Sequence, residues 1–169
     1  MVKNNKKYYT PYKKLNNNHV IIMWDYQPII KEDNNGNLIE TNLATWEEYN
    51  FEHKPTKIEI EEIILNYYNN KINDKILNGF MWKDMNVWLS IENQINYKKM
   101  YDLVKETNGS ILPIKFKFSK DGVPMYHVFT TIDELADFYH SSSFFIQKTL
   151  EEGWEIKEKF NWGDYIDNI

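Results

Sequence analysis

Apolar and polar positions follow two rhythms along this chain, and the switches between them predict most of its elements. His19–Tyr26 (His-Val-Ile-Ile-Met-Trp-Asp-Tyr) is dense in β-formers and reads as a buried strand. Asp33-Asn-Asn-Gly-Asn37 follows as a turn signal, because Gly and Asn tolerate positive φ. A returning strand covers Leu38–Thr45, with Trp46–Phe51 continuing it or forming a second short strand. The rhythm changes after His53-Lys-Pro55. Thr56-Lys-Ile-Glu59 fits a capping box, in which hydroxyl and carboxylate satisfy each other's orphan N–H groups at a helix start. Ile60, Ile63, Ile64 and Tyr67 then recur at helical spacing, Tyr68, Ile72 and Ile76 extend the stripe, and Asn78-Gly79 closes it.

Over residues 80–152 the pattern repeats itself in kind. Phe80–Lys83 and Asn86–Leu89 predict a short hairpin, and Ser90 caps a helix carrying Tyr97, Met100, Tyr101 and Val104 on one face. Asn108-Gly109 stops that helix. Ile114–Phe118 and Met125–Phe129 predict a second hairpin around Lys120-Asp-Gly122, with Pro124 tolerable at a strand start or edge. Thr131-Ile-Asp-Glu134 opens another capped helix, with Gly153 as its end. The order ββαββα predicts an α+β fold of hairpins backed by helices. Four segments result: a basic arm (1–18), flexible or ordered by a partner, a β-hairpin module (19–54), an α+β core (55–153) and an aromatic C-terminal tail (154–169).

With 169 residues, the chain accommodates one compact domain with extensions. It contains no cysteine, which excludes disulfides, thiolate metal sites and thiol nucleophiles. All 20 basic residues are lysine, so the planar guanidinium fork that grips phosphate or guanine is missing. A net charge of −5 also argues against a general nucleic-acid binder. No apolar run approaches the ~20 residues that span a bilayer, and no secretory h-region follows Met1. A cytoplasmic protein with no membrane and no nucleic-acid partner is expected. Charge is segregated: residues 1–18 hold five lysines and no acid, whereas 19–62 carry a net −7. The arm is either a solvated terminus or a segment that orders on an acidic neighbour through Tyr8, Tyr9 and Tyr12. At the other end Phe160, Trp162 and Tyr165 either fold back or anchor a partner subunit.

Candidate chemistry is sparse. His19, His53, His127 and His140 show no metal-ligand spacing, and no metal or other cofactor is expected. Ser141-Ser-Ser143 beside His140 suggests a nucleophile, but sequence neighbours on a helix point in different directions. Glu61-Glu62 and Glu151-Glu152 fall on polar helix faces, away from any convergent cleft. Glycine-rich phosphate loops are absent. Ile114-Lys-Phe-Lys-Phe118 could form a stacking platform for single strands. Strict alternation is more commonly that of a half-buried strand, and Phe116 and Phe118 inward with Lys115 and Lys117 outward is the default reading. A non-enzymatic protein is the resulting expectation.

Three stretches carry a family likeness: Gly79–Ser90 followed by Glu92-Asn-Gln-Ile-Asn-Tyr97, Leu112–Phe118, and Phe129–Tyr139 with Gly153-Trp154. Together they resemble small proteins of Bacteroidales phages and prophages, including crAss-like phages. Those proteins are related to an uncharacterised phage domain found with tail and tail-fibre assembly genes. Ser90-Ile-Glu-Asn-Gln94 matches the helix start of that pattern, and the likeness covers about Pro55 to Trp162. It carries no catalytic residues. What it implies is a virion protein of the tail, neck or collar, made in the host bacterial cytoplasm and acting through subunit contacts. Its partners would be other phage structural proteins or further copies of itself in a ring. Two alternatives stand beside that implication: an assembly chaperone absent from the finished particle, and a regulatory module that binds a host protein.

Overall fold

The computed structural model describes residues 1–15 and 18–169 and has an α+β fold with two antiparallel sheets. The chain divides into two compact units, residues 1–67 with 159–169, and residues 68–158.

The first unit is built on β3 (Val20–Glu32) and β4 (Leu38–Phe51), one long antiparallel hairpin. Trp46–Phe51 continues the returning strand and does not start a new one. The hairpin turn is held by Asp33, whose Oδ1 accepts from the Asn35 and Asn37 N–H groups at 2.8 and 2.9 Å. Those bonds hold the Asp33 carboxyl below the usual carboxylate range. β3 runs through Pro28, which sequence chemistry disfavours inside a ladder. Register shifts on both sides of Gln27–Pro28, with Asp25 at φ 54°, absorb the missing donor.

The arm expected over 1–18 contributes two strands to this sheet. β1 (Val2–Asn5) pairs with β4 and β2 (Tyr12–Lys14) pairs with β3, giving the order β1-β4-β3-β2. Asn16 and Asn17, the end of the predicted arm, lie outside the described residues. Part of its positive charge is answered within the chain: the N-terminal ammonium pairs with Glu47 at 2.8 Å and Lys6 with Glu40 at 2.9 Å. One buried cluster of the sheet is Met23, Ala44 and Trp46, packed against by Val2, Tyr9, Ile21 and Tyr26, and Tyr12, Val20, Ile22, Trp24 and Phe51 are buried as well. Helix α1 (Lys57–Asn78) begins in this unit and buries Ile60 and Ile64. Its capping box forms as expected: Glu59 N–H donates to Thr56 Oγ1 at 3.3 Å and Thr56 N–H to Glu59 Oε2 at 2.7 Å.

The second unit follows the predicted ββαββα order. It contains β5 (Phe80–Trp82), β6 (Met85–Val87), α2 (Ile91–Glu106), β7 (Ile114–Lys120), β8 (Val123–Phe129) and α3 (Ile132–Glu158), with its sheet ordered β5-β6-β7-β8. Lys83 and Asp84 turn β5 into β6, and Asp121 and Gly122 turn β7 into β8, all four at positive φ, as two-residue hairpin loops demand. Phe138 on α3 is fully buried and meets the rings of Trp82, Tyr97, Phe116, Phe118 and Phe129 at centroid distances of 5.0–6.0 Å. This ring cluster is the centre of the unit's core.

The predicted 55–153 core is therefore corrected. α1 is one unbroken helix with the unit boundary inside it, since Pro55 and the capping box start it well before the second sheet begins. Gly153 does not end α3. A Cβ at that position would stand 2.1 Å from Ile72 Cδ1, so glycine is there to let α1 side chains approach.

Candidate interaction interface

Three of the four histidines and two of the three serines beside His140 have partners within the fold. His53 pairs with Glu59 at 2.9 Å beside the capping box, and His140 Nε2 meets the Tyr101 hydroxyl at 3.1 Å. His127 Nε2 lies 3.0 Å from Glu134 Oε1, which also accepts from Lys83 Nζ at 2.7 Å. The Lys83 ammonium first, then His127, hold the Glu134 carboxyl below the usual range. Thr131 therefore caps α3 from one side only: its Oγ1 accepts from Glu134 N–H, while the Glu134 carboxylate is turned away to Lys83 and His127. Ser142 and Ser143 donate to the Tyr139 carbonyl at 2.8 and 2.9 Å, the back-bonding expected of hydroxyls inside a helix. Among the described residues no group of three or more His, Asp or Glu could hold a metal ion. No helix among them is long and apolar enough to cross a membrane.

The six aromatic residues expected to contact partners separate by burial. Tyr8 is 54% exposed. Tyr9 packs against Tyr26 and Trp46, with ring centroids 4.8 and 5.9 Å away, and its hydroxyl donates to the Met23 carbonyl. Tyr12 and Tyr165 are core residues and not surface anchors. The Tyr165 hydroxyl donates to the Met23 carbonyl at 2.7 Å, fixing α4 (Gly163–Ile166) in the first unit. Phe160 stacks on Tyr165 and lies 4.6 Å from the Trp162 ring, and both are half-buried. The tail expected over 154–169 is therefore divided: Trp154–Glu158 continue α3, and Lys159–Ile169 pack within the first unit, where Tyr165 buries its ring and finds a carbonyl for its hydroxyl.

Two other surfaces are better placed for partners. In the first unit β1 pairs with β4 only over Leu43–Trp46 and β2 with β3 only over Val20–Ile22. Beyond those pairs, β3 and β4 continue as a two-stranded ribbon in which Ile30, Lys31 and Glu32 face Glu40, Ile39 and Leu38. Ile30, Leu38 and Ile39 are 54%, 75% and 49% exposed. A signal for this was present in the sequence. Ile29-Ile30 and Leu38-Ile39 flank the turn as adjacent apolar pairs, and adjacent strand residues point to opposite faces, so a ribbon cannot bury both.

In the second unit a cleft of about 620 Å³ opens beside β7, with Val87, Tyr97, Phe116 and Phe118 among its lining residues. β6 leaves β7 after a single pair, Asn86 with Ser119, because Leu89 N–H is drawn to the Leu77 carbonyl at 3.1 Å. Phe116 and Phe118 point inward and Lys115 and Lys117 outward, the alternation of a half-buried strand. No family model, curated protein or solved structure matches the chain.

Proposed function

We propose that this chain is a non-enzymatic bacteriophage structural protein, a virion component of the tail, neck or collar that acts through subunit–subunit contacts. The observation that supports this reading best is the β3–β4 ribbon. An isolated two-stranded ribbon is marginal in water, and this one carries three exposed aliphatic side chains at its end. Such a segment gains most when a neighbouring subunit covers it. The phage setting rests on the likeness of residues 55–162.

The test is quantitative mass spectrometry of gradient-purified particles of the encoding phage beside infected-cell lysate. Stoichiometric presence in particles is expected. A Leu38→Asp/Ile39→Asp chain should fold normally, since both side chains are exposed, and should be lost from the particles. Abundance in lysate with absence from particles would replace this reading with an assembly chaperone, which the cleft beside β7 would serve as a holding site.

A further inference from the structure

We infer that the cleft beside β7 is a strand-acceptor site that takes an acidic, extended segment of a partner protein by β-augmentation. Lys120 faces Val123 across a two-residue turn, which makes them a hydrogen-bonded pair. Alternation along an antiparallel pair then directs the main-chain groups of Phe118, Phe116 and Ile114 at β8. Those of Ser119, Lys117 and Lys115 point the other way. Ser119 has Asn86 opposite it, but β6 has already turned off before Lys117 and Lys115. The N–H and C=O of these two residues therefore face the cleft without a strand beside them.

The cleft lining says the same thing independently. It includes Lys115 and Lys117 from one face of the pleat and Phe116 and Phe118 from the other. Consecutive residues can line one cavity only where it abuts the strand edge. Trp88 and Tyr126, each 61% exposed, also line the cleft and offer rings to the side chains of an incoming strand.

Charge selects the occupant. In a chain of net charge −5, the residues lining the cleft include two lysines and no carboxylate. Edge lysines repel indiscriminate strand pairing, and the same charge favours a strand carrying Asp or Glu. An extended peptide matches the two-residue repeat of the open main-chain groups, which is how sheet edges capture peptides. Single-stranded nucleic acid fits less well: Phe116 and Phe118 are buried against the helices, so no row of aromatic faces lies along the strand.

The experiment uses the full chain and a fluorescein-labelled peptide alternating glutamate and valine, read by anisotropy. Binding is expected, weakening as salt rises from low to physiological strength. N-methylation of every second peptide residue removes the donors on one strand edge and should weaken binding about tenfold or more. Lys115→Glu/Lys117→Glu should lose about tenfold or more, whereas Lys99→Glu/Lys148→Glu, with the same charge change elsewhere, should not. Amide resonances of residues 115 and 117 should move on binding. The inference is overturned by an absence of binding, by N-methylated peptide binding as well as the parent, or by oligothymidylate occupying the cleft in preference to the peptide.

Discussion

Replacing Gly153 by alanine tests the α1–α3 approach directly, because two effects of known sign oppose each other there. Glycine inside a helix costs about 1 kcal/mol relative to alanine, so Gly153→Ala should stabilise α3 by that amount if nothing touches the new methyl. The structure places that methyl 2.1 Å from Ile72 Cδ1 and 2.5 Å from Cγ1, inside the range where an atom must move. Ile72 is β-branched and helical, with one strongly preferred χ1, so it escapes only by straining or by shifting the helix. Overpacking of this kind costs ~1–3 kcal/mol. Net destabilisation of up to ~2 kcal/mol is expected for Gly153→Ala. Truncating the obstruction changes the sign: in an Ile72→Ala background, Gly153→Ala should become stabilising by about 1 kcal/mol, since helix propensity alone remains. Urea titrations of the wild type, both single variants and the double variant complete the cycle. If Gly153→Ala stabilises the wild-type chain by the full helix-propensity amount, the close approach is wrong and Gly153 has no packing role.

Other expectations concern the first unit. Tyr165→Phe should cost about 1 kcal/mol, because the Met23 carbonyl keeps the Tyr9 hydroxyl as a second donor, while Tyr165→Ala should cost ~3–5 kcal/mol, measured by denaturation. Equal, near-zero effects would return Tyr165 to the surface. The Glu59 carboxyl is drawn down to about 2, chiefly by the Thr56 N–H, then by the Thr56 hydroxyl and His53. A depressed carboxyl contributes stability above its unfolded range and loses it as pH falls from about 4.5 through about 2, so an NMR titration of Glu59 should have its midpoint near 2. Thr56→Ala should raise that midpoint and cost about 1 kcal/mol. Deleting residues 1–5 should destabilise the first unit, since β1 covers the Leu43–Trp46 edge of β4. An unchanged unfolding curve would mark those residues as a free arm.

The second unit was largely legible because its signals are local. Asp121-Gly122, Ser90 and Asn108-Gly109 each fix their own backbone, and the alternation from Ile114 to Phe118 needs no distant partner to be read. The first unit was harder. Val2–Asn5 and Tyr12–Lys14 are too short to show a period, and they become strands only because β4 and β3 offer open edges to them. Tyr12 and Tyr165 have the same composition signature as exposed anchors, and their burial is decided by tertiary partners tens of residues away. Gly153 shows the limit most clearly. Glycine near a predicted helix end fits both a cap and a close approach, and only the position of Ile72 distinguishes them.

Segregated charge along the chain raised the expectation that the basic arm orders on an acidic neighbour. In the fold, Lys6 of that segment pairs with Glu40 and the N-terminal ammonium with Glu47, so part of that charge is answered by the chain's own sheet. The ribbon and the β7 edge differ from that charge contact, and from each other, in physical kind. The ribbon offers Ile30, Leu38 and Ile39, whose burial is driven by area removed from water and changes little with salt. The β7 edge offers main-chain groups beside Lys115 and Lys117, whose preference for an acidic strand is screened over about 8 Å at physiological ionic strength. Raising salt therefore separates the two surfaces without any mutation. Contacts made by the ribbon should persist, and those made at the β7 edge should weaken. An assembly that dissolves in salt although Leu38 and Ile39 are intact would place its main contact at the second unit and not at the ribbon.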